Sequence, residues 1–232
     1  IAGVAGIDHV GLGIDYYPKI VVAVPFTPAT GPRLLVSAGA DRELVTRAFA
    51  QGLGALTERI GASSAHVLFP PGDEADLLEA AGMARRAGLQ FHWENAGYAS
   101  FDDFLGGFSS KKRHQLRRER REAASEGLVF ESLLGKELSS ARIDAVYELY
   151  LTTVDKFVWG RRYLNRDFFH EVCSKLGESV QVVLASESGG APIAGAFNLL
   201  GDDTLYGRYW GAHQERRFLH FEVCYYRGID EC

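Results

Sequence analysis

The stretch Val180-Gln-Val-Val-Leu-Ala-Ser186, Pro192-Ile-Ala-Gly-Ala-Phe-Asn-Leu-Leu200 and Thr204-Leu-Tyr-Gly-Arg-Tyr-Trp210 decides the fold. Each run is short, apolar and rich in β-branched or aromatic residues, which reads as a strand. Gly189-Gly190 and Gly201-Asp202-Asp203 are compact turns of the kind that connect neighbouring strands. Working outward, Leu128–Leu134 reads as a strand, residues 140–157 as a long helix, 166–176 as a short one, and 218–228 as a last helix. The order is β-α-α-β-β-β-α.

The first hundred residues alternate differently. Apolar runs at Ile20–Pro25 and Leu34–Val36 flank a rigid Pro/Gly connection and read as two strands. Asp41 is placed to cap a helix with apolar positions at Leu44, Ala48, Leu53, Leu56 and Ile60, ending at Gly61. A strand at Ala65–Phe69, a helix over Glu74–Ala87 and a strand at Leu89–Glu94 follow. Helices alternating with short strands place the chain in the α/β class with mixed α+β sheets.

Between the halves, Phe101, Phe104, Leu105 and Phe108 make one apolar helical face. Residues 111–122 then hold seven Lys/Arg against two Glu, in a helix-forming run closed by Gly127. The net charge of −5 excludes a whole-molecule polyanion binder, so any phosphate contact must come from a local patch such as this one. Three cysteines (Cys173, Cys224 and Cys232) without metal-ligand spacing point to a reduced, cytoplasmic setting. No apolar run approaches a transmembrane length. His9, His66, His92 and His114 share no metal spacing, and no P-loop or Ser-His-Asp arrangement occurs. Cys173, inside a helix, reads as core packing.

The order of several motifs is similar to that of the FemAB-like family, described as concerned with peptidoglycan biosynthesis or recognition. They are Phe91-His-Trp-Glu-Asn95, Tyr98, Phe101-Asp-Asp-Phe-Leu105, Ser110-Lys-Lys-Arg113 with Leu116-Arg-Arg-Glu-Arg-Arg121, Trp159-Gly-Arg-Arg-Tyr-Leu164, Leu205-Tyr-Gly-Arg-Tyr-Trp-Gly211, and Leu219-His-Phe-Glu222 with Tyr225-Tyr226. The β-α-α-β-β-β-α order also resembles the first part of a GNAT-superfamily acyltransferase domain, and the first hundred residues resemble the later part of another. The resemblance implies two tandem GNAT-like domains, both truncated: residues 1–122, the later part of the first, ending in the basic helix, and 123–232, the earlier part of the second. Both ends of the chain then read as cuts through a fold. It also implies acyl or aminoacyl transfer to an amine in cell-envelope metabolism, with a peptidoglycan precursor or other small amine as acceptor.

Such folds hold the donor where two parallel strands splay apart, here beside Tyr206–Gly211, and work by positioning and oxyanion stabilisation. Acetyl-CoA-dependent members carry a glycine-rich pyrophosphate loop between that strand and the next helix. This chain has Ala212-His-Gln-Glu-Arg-Arg-Phe218 instead. The implied donor is therefore aminoacyl-tRNA, with acyl-CoA as the alternative, its phosphates contacted by Arg216 and Arg217. No tightly bound cofactor is expected. A non-catalytic module that recognises a peptidoglycan precursor or tRNA is the alternative from another class.

The candidate residues follow. Arg113, Arg117, Arg118 and Arg121 either contact phosphates of tRNA or a nucleotide-sugar precursor, or form a solvated face paired to Glu119 and Glu122. Trp159, Arg161 and Tyr163 suit sugar or peptide recognition, or pin two helices together. Tyr206, Arg208 and Trp210 share one strand face by alternation, opposite Tyr209. A buried Arg208 would require an anionic partner. Asn198 can orient an acceptor or make a strand-end hydrogen bond. His220 and Glu222 can serve as general base, and Glu222 can alternatively complement a helix N-terminus.

Overall fold

The computed structural model describes residues 16–25, 27–125, 127–156 and 162–232. It is a mixed α/β structure with one parallel and one antiparallel sheet, and it separates into two compact units, Ile1–His92 and Trp93–Cys232.

In the first unit, β1 (Lys19–Val22) pairs in parallel with β2 (Ser64–Val67). Between them runs α1 (Arg42–Arg59), capped as its sequence suggests: Leu44 N donates to Asp41 Oδ1 at 3.0 Å. The expected strand at Leu34–Val36 does not form. Its backbone donors go elsewhere: Arg33 N and Leu34 N both donate to the carboxylate of Glu74, which is fully buried at the start of α2 (Gly72–Ala80). A side chain has taken the place of a neighbouring strand. Helix α2 ends at Ala80, well short of the expected Ala87, because Gly82 adopts φ +95° and turns the chain. Leu89–Glu94 lacks strand pairing, and Leu89 and Phe91 are largely exposed.

In the second unit, α3 (Phe101–Gly106) and α4 (Ser110–Ser125) precede β3 (Leu128–Leu134). Then come α5 (Ser140–Val154), α6 (Arg166–Lys175), β4 (Val180–Glu187), β5 (Pro192–Leu200) and β6 (Leu205–Ala212). The last helical segment is α7 (Leu219–Phe221), a π-helical turn (Glu222–Tyr226) and α8 (Arg227–Glu231). The four strands form an antiparallel sheet in the order β3-β4-β5-β6. Among the described residues, β6 pairs only with β5, so no parallel splay beside Tyr206–Gly211 is formed by these residues.

Helices cover both faces of this sheet, which is why β4 reads as a continuous apolar run. Val180, Val182, Leu184 and Phe197 pack on Ile143, Val146, Leu149 and Tyr150 of α5 and on Phe169 and Cys173 of α6. On the other face, Val183, Ala185, Ala194 and Ala196 meet Leu219 and Val223. Cys173 is therefore core packing, and burial raises the pKa of its thiol above the ordinary value.

The end of α5 approaches β6 closely enough to exclude any side chain at Gly211, where a Cβ would lie 1.8 Å from the Leu149 carbonyl oxygen. Two threonines stitch the contact: Thr153 Oγ1 donates to the Trp210 carbonyl at 2.5 Å, and Ala212 N donates to Thr152 Oγ1 at 3.0 Å.

Candidate functional site

Regular alternation would set Tyr206, Arg208 and Trp210 on one face. The sheet corrects this with a bulge. Phe197 pairs with Tyr209 and Asn198 with Gly207, so Arg208 has no counterpart on β5. Opposed residues share a face, so Tyr209 and Tyr206 accompany Phe197 and Leu199 on the α5/α6 side. Trp210 lies opposite, against the last helical segment. Arg208 is half-buried rather than buried, and its guanidinium stacks 5.1 Å from the Tyr209 ring centre and reaches the Tyr209 hydroxyl at 3.4 Å. The gap enclosed on this side by Tyr150, Phe169 and Tyr209 is about 10 Å³, room for one water at most.

Asn198 is buried and ends a polar row across three strands. Its Nδ2 donates to Gln181 Oε1 at 2.9 Å, and Gln181 Nε2 donates to Ser132 Oγ at 3.2 Å. Tyr163 is exposed, beside an Arg162–Asp155 ion pair at 2.7 Å. Trp159 and Arg161 lie outside the described residues.

His220 stands in the aromatic wall around Trp210. It packs edge-on to Trp210 at 5.0 Å and to Tyr225 at 5.5 Å, with Phe221 alongside. His220 is exposed, yet packing against these rings partly desolvates its imidazole and lowers its pKa from the ordinary value, which favours the neutral form that can accept a proton. It reaches this position because Phe218 takes φ +61° and starts α7 abruptly.

Glu222 is fixed differently. It is 2% exposed, and its oxygens accept from Arg120 Nε at 3.0 Å, Arg120 Nη2 at 3.1 Å and Arg227 Nε at 2.9 Å. Arg120 also bridges to Asp230, and its guanidinium stacks 4.2 Å from the Phe101 ring centre. Burial opposes the charge on Arg120, but hydrogen bonds to Asp230 and Glu222 overcome it and raise the pKa. Beside this network Tyr226 donates to buried Glu119 at 2.9 Å, and burial together with that bond raises the phenol's pKa. Arg120 and Tyr226 lie in motifs that carry the family resemblance, but the sequence assigns no site role to them or to Arg227. The available signal was the seven-cation run itself, in which nothing distinguishes the arginine that pairs with a buried glutamate.

The other cations of α4 are largely engaged locally. Arg117 pairs with Asp102 at 2.8 Å, Arg118 with Glu122 at 3.5 Å, and Arg113 donates to the Phe108 carbonyl at 3.3 Å. Arg121 is exposed, with no ion pair among the described residues. Arg216 pairs with Glu187, and Arg217 with Glu122 at 3.3 Å. Among the described residues, no group of three or more His, Cys, Asp or Glu is disposed to hold a metal ion, and no helix is long and apolar enough to cross a membrane.

No curated protein matches the chain. A family model described as peptidoglycan biosynthesis/recognition matches residues 8–232, nearly the whole chain. The chain belongs to the FemAB-like family.

Proposed function

We propose that the protein transfers an acyl or aminoacyl group to an amine of a peptidoglycan precursor, with His220 as general base. The carrying observation is the His220 imidazole packed among Trp210, Phe221 and Tyr225, at the start of the last helical segment. The acceptor arrives as an ammonium and must lose a proton before it attacks. The amine nitrogen then forms a C–N bond to the donor carbonyl, and the C–O bond of an aminoacyl ester or the C–S bond of a thioester breaks. His220 takes the ammonium's first proton and returns it to water, then takes the second from the nitrogen as the C–N bond forms and passes it to the leaving alcohol or thiol. Glu222, clamped by two guanidiniums, positions the helix that carries His220. Aminoacyl-tRNA is the favoured donor, since Ala212–Phe218 lacks the glycine-rich run that would bring backbone N–H groups to a CoA pyrophosphate. The β-α-α-β-β-β-α order from Leu128 onward supports an acyltransferase domain as one of two in tandem.

A second reading, recognition of the precursor without turnover, is favoured by the filled space beneath Tyr209. Transfer assays on the full-length protein with precursor and charged tRNA or acetyl-CoA separate the two. Under the first reading, His220→Gln lowers kcat about 100-fold, abolishes the acid limb of the pH profile and leaves the acceptor KM unchanged. An unchanged kcat and pH limb would remove His220 from the chemistry. Precursor binding without turnover, whatever the donor, would establish the second reading.

A further inference from the structure

An open groove of about 510 Å³ lies between α3, α4 and α8, away from His220. Arg117, Arg120 and Arg121 line it from α4, and Asp102 and Asp230 face them from α3 and α8. The half-buried Phe101 ring supplies its apolar part, with Leu105 wholly buried beneath. Three guanidiniums against two carboxylates leave one formal positive charge.

That excess sits on Arg121. Arg120 is committed to Glu222 and Asp230, and Arg117 to Asp102. Arg117 and Arg121 are one helical turn apart on the same face, so their planar forks can close on one acceptor group. A multiply charged phosphate would meet two carboxylates on the groove walls, and desolvating that repulsion is costly. A single carboxylate matches the one unbalanced charge and the fork geometry. The half-buried Phe101 ring offers apolar contact to a short aliphatic side chain next to it.

We infer that this groove binds a short peptide through its free carboxylate, with Arg121 as the principal contact and Arg117 released from Asp102 to complete the clamp. The inference does not depend on catalysis, so its failure would leave the role of His220 untouched, and loss of that role would leave the groove.

The test is a titration of the full-length protein, followed by NMR of backbone and arginine Nε–H signals. The probes are N-acetyl-alanyl-alanine with a free carboxylate, the same dipeptide as its amide, and inorganic pyrophosphate. The acid is expected to shift the Arg117 and Arg121 signals and to bind at least tenfold more tightly than the amide. Arg121→Gln, at an exposed site, should weaken the acid about tenfold. Asp102→Asn should strengthen it, because Arg117 is freed; a merely structural Asp102 would give no gain. Equal binding of acid and amide, tighter binding of pyrophosphate than of the acid, or an affinity within twofold of wild type in Arg121→Gln would each overturn the proposal.

Discussion

Replacing Arg120 with methionine tests whether the buried ion pairs under the last helical segment organise the second unit. Glu222 is 2% exposed and takes two of its three hydrogen bonds from Arg120. Removing one partner of a buried pair costs about 3–5 kcal/mol, because the other charge is left without compensation. Arg227 remains on Glu222 Oε1, which places this case at the low end. Loss of the bridge to Asp230 adds little, since that carboxylate is a third exposed and screened by water. The stacking over Phe101 is worth about 0.5–1 kcal/mol, part of which the methionine sulfur restores. The sum is about 3 kcal/mol, equivalent to a fall in Tm of roughly 6–12 °C for a chain of this size. Urea unfolding measures it, with the m value showing whether the transition remains the same one. Glu222→Gln alone and the Arg120→Met/Glu222→Gln pair complete a cycle, and the double variant should lose about 1–3 kcal/mol less than the sum of the singles. A loss below about 1 kcal/mol for Arg120→Met, or strictly additive losses, would refute the reasoning.

Gly211→Ala should destabilise the second unit by about 3 kcal/mol or more, because the new methyl meets the backbone of Leu149 rather than a movable side chain, so helix and strand must separate; a melting temperature within 2 °C of wild type would show that the approach is looser. Acid stability offers another check. Hydrogen bonds from His170 and Arg166 hold the Asp144 carboxyl below its ordinary value, with the His170 contact at 2.8 Å. A carboxylate with a depressed folded pKa contributes stability that is present above its unfolded value and is lost as pH falls through the folded one. Asp144→Asn should therefore lower stability near neutral pH and flatten its decline below about pH 4, as followed by thermal melts across pH; an unaltered acid limb would count against the Asp144 assignment.

Much of the fold is legible in the residues. The three runs at 180–210 and the strand at 128–134 have the length, composition and turn chemistry of strands, and their bounds in the structure differ by no more than two residues. Asp41, Ser139 and Asn165 cap helices through local contacts three residues long, which a linear reading can see. The failure at Leu34–Val36 depended on a distant partner, whereas α2 stopped early at the local turn of Gly82. Leu34–Val36 has the pattern of a strand, but a carboxylate forty residues away satisfies its backbone.

The candidate site divides the same way. Sequence alone determined which residue types were present: a run of arginines, an aromatic strand, and a histidine beside a glutamate at the start of a helix. Only the tertiary structure decided their roles. A one-residue bulge in β6 separated Tyr206 from Trp210, since a single unpaired residue reverses every later side chain. Packing of the π-helical turn against α4 buried Glu222 and clamped it between Arg120 and Arg227, while leaving His220 at the surface. Charge environment is set by what lies within a few ångströms in space, and for Arg120 that neighbour is 102 residues away along the chain.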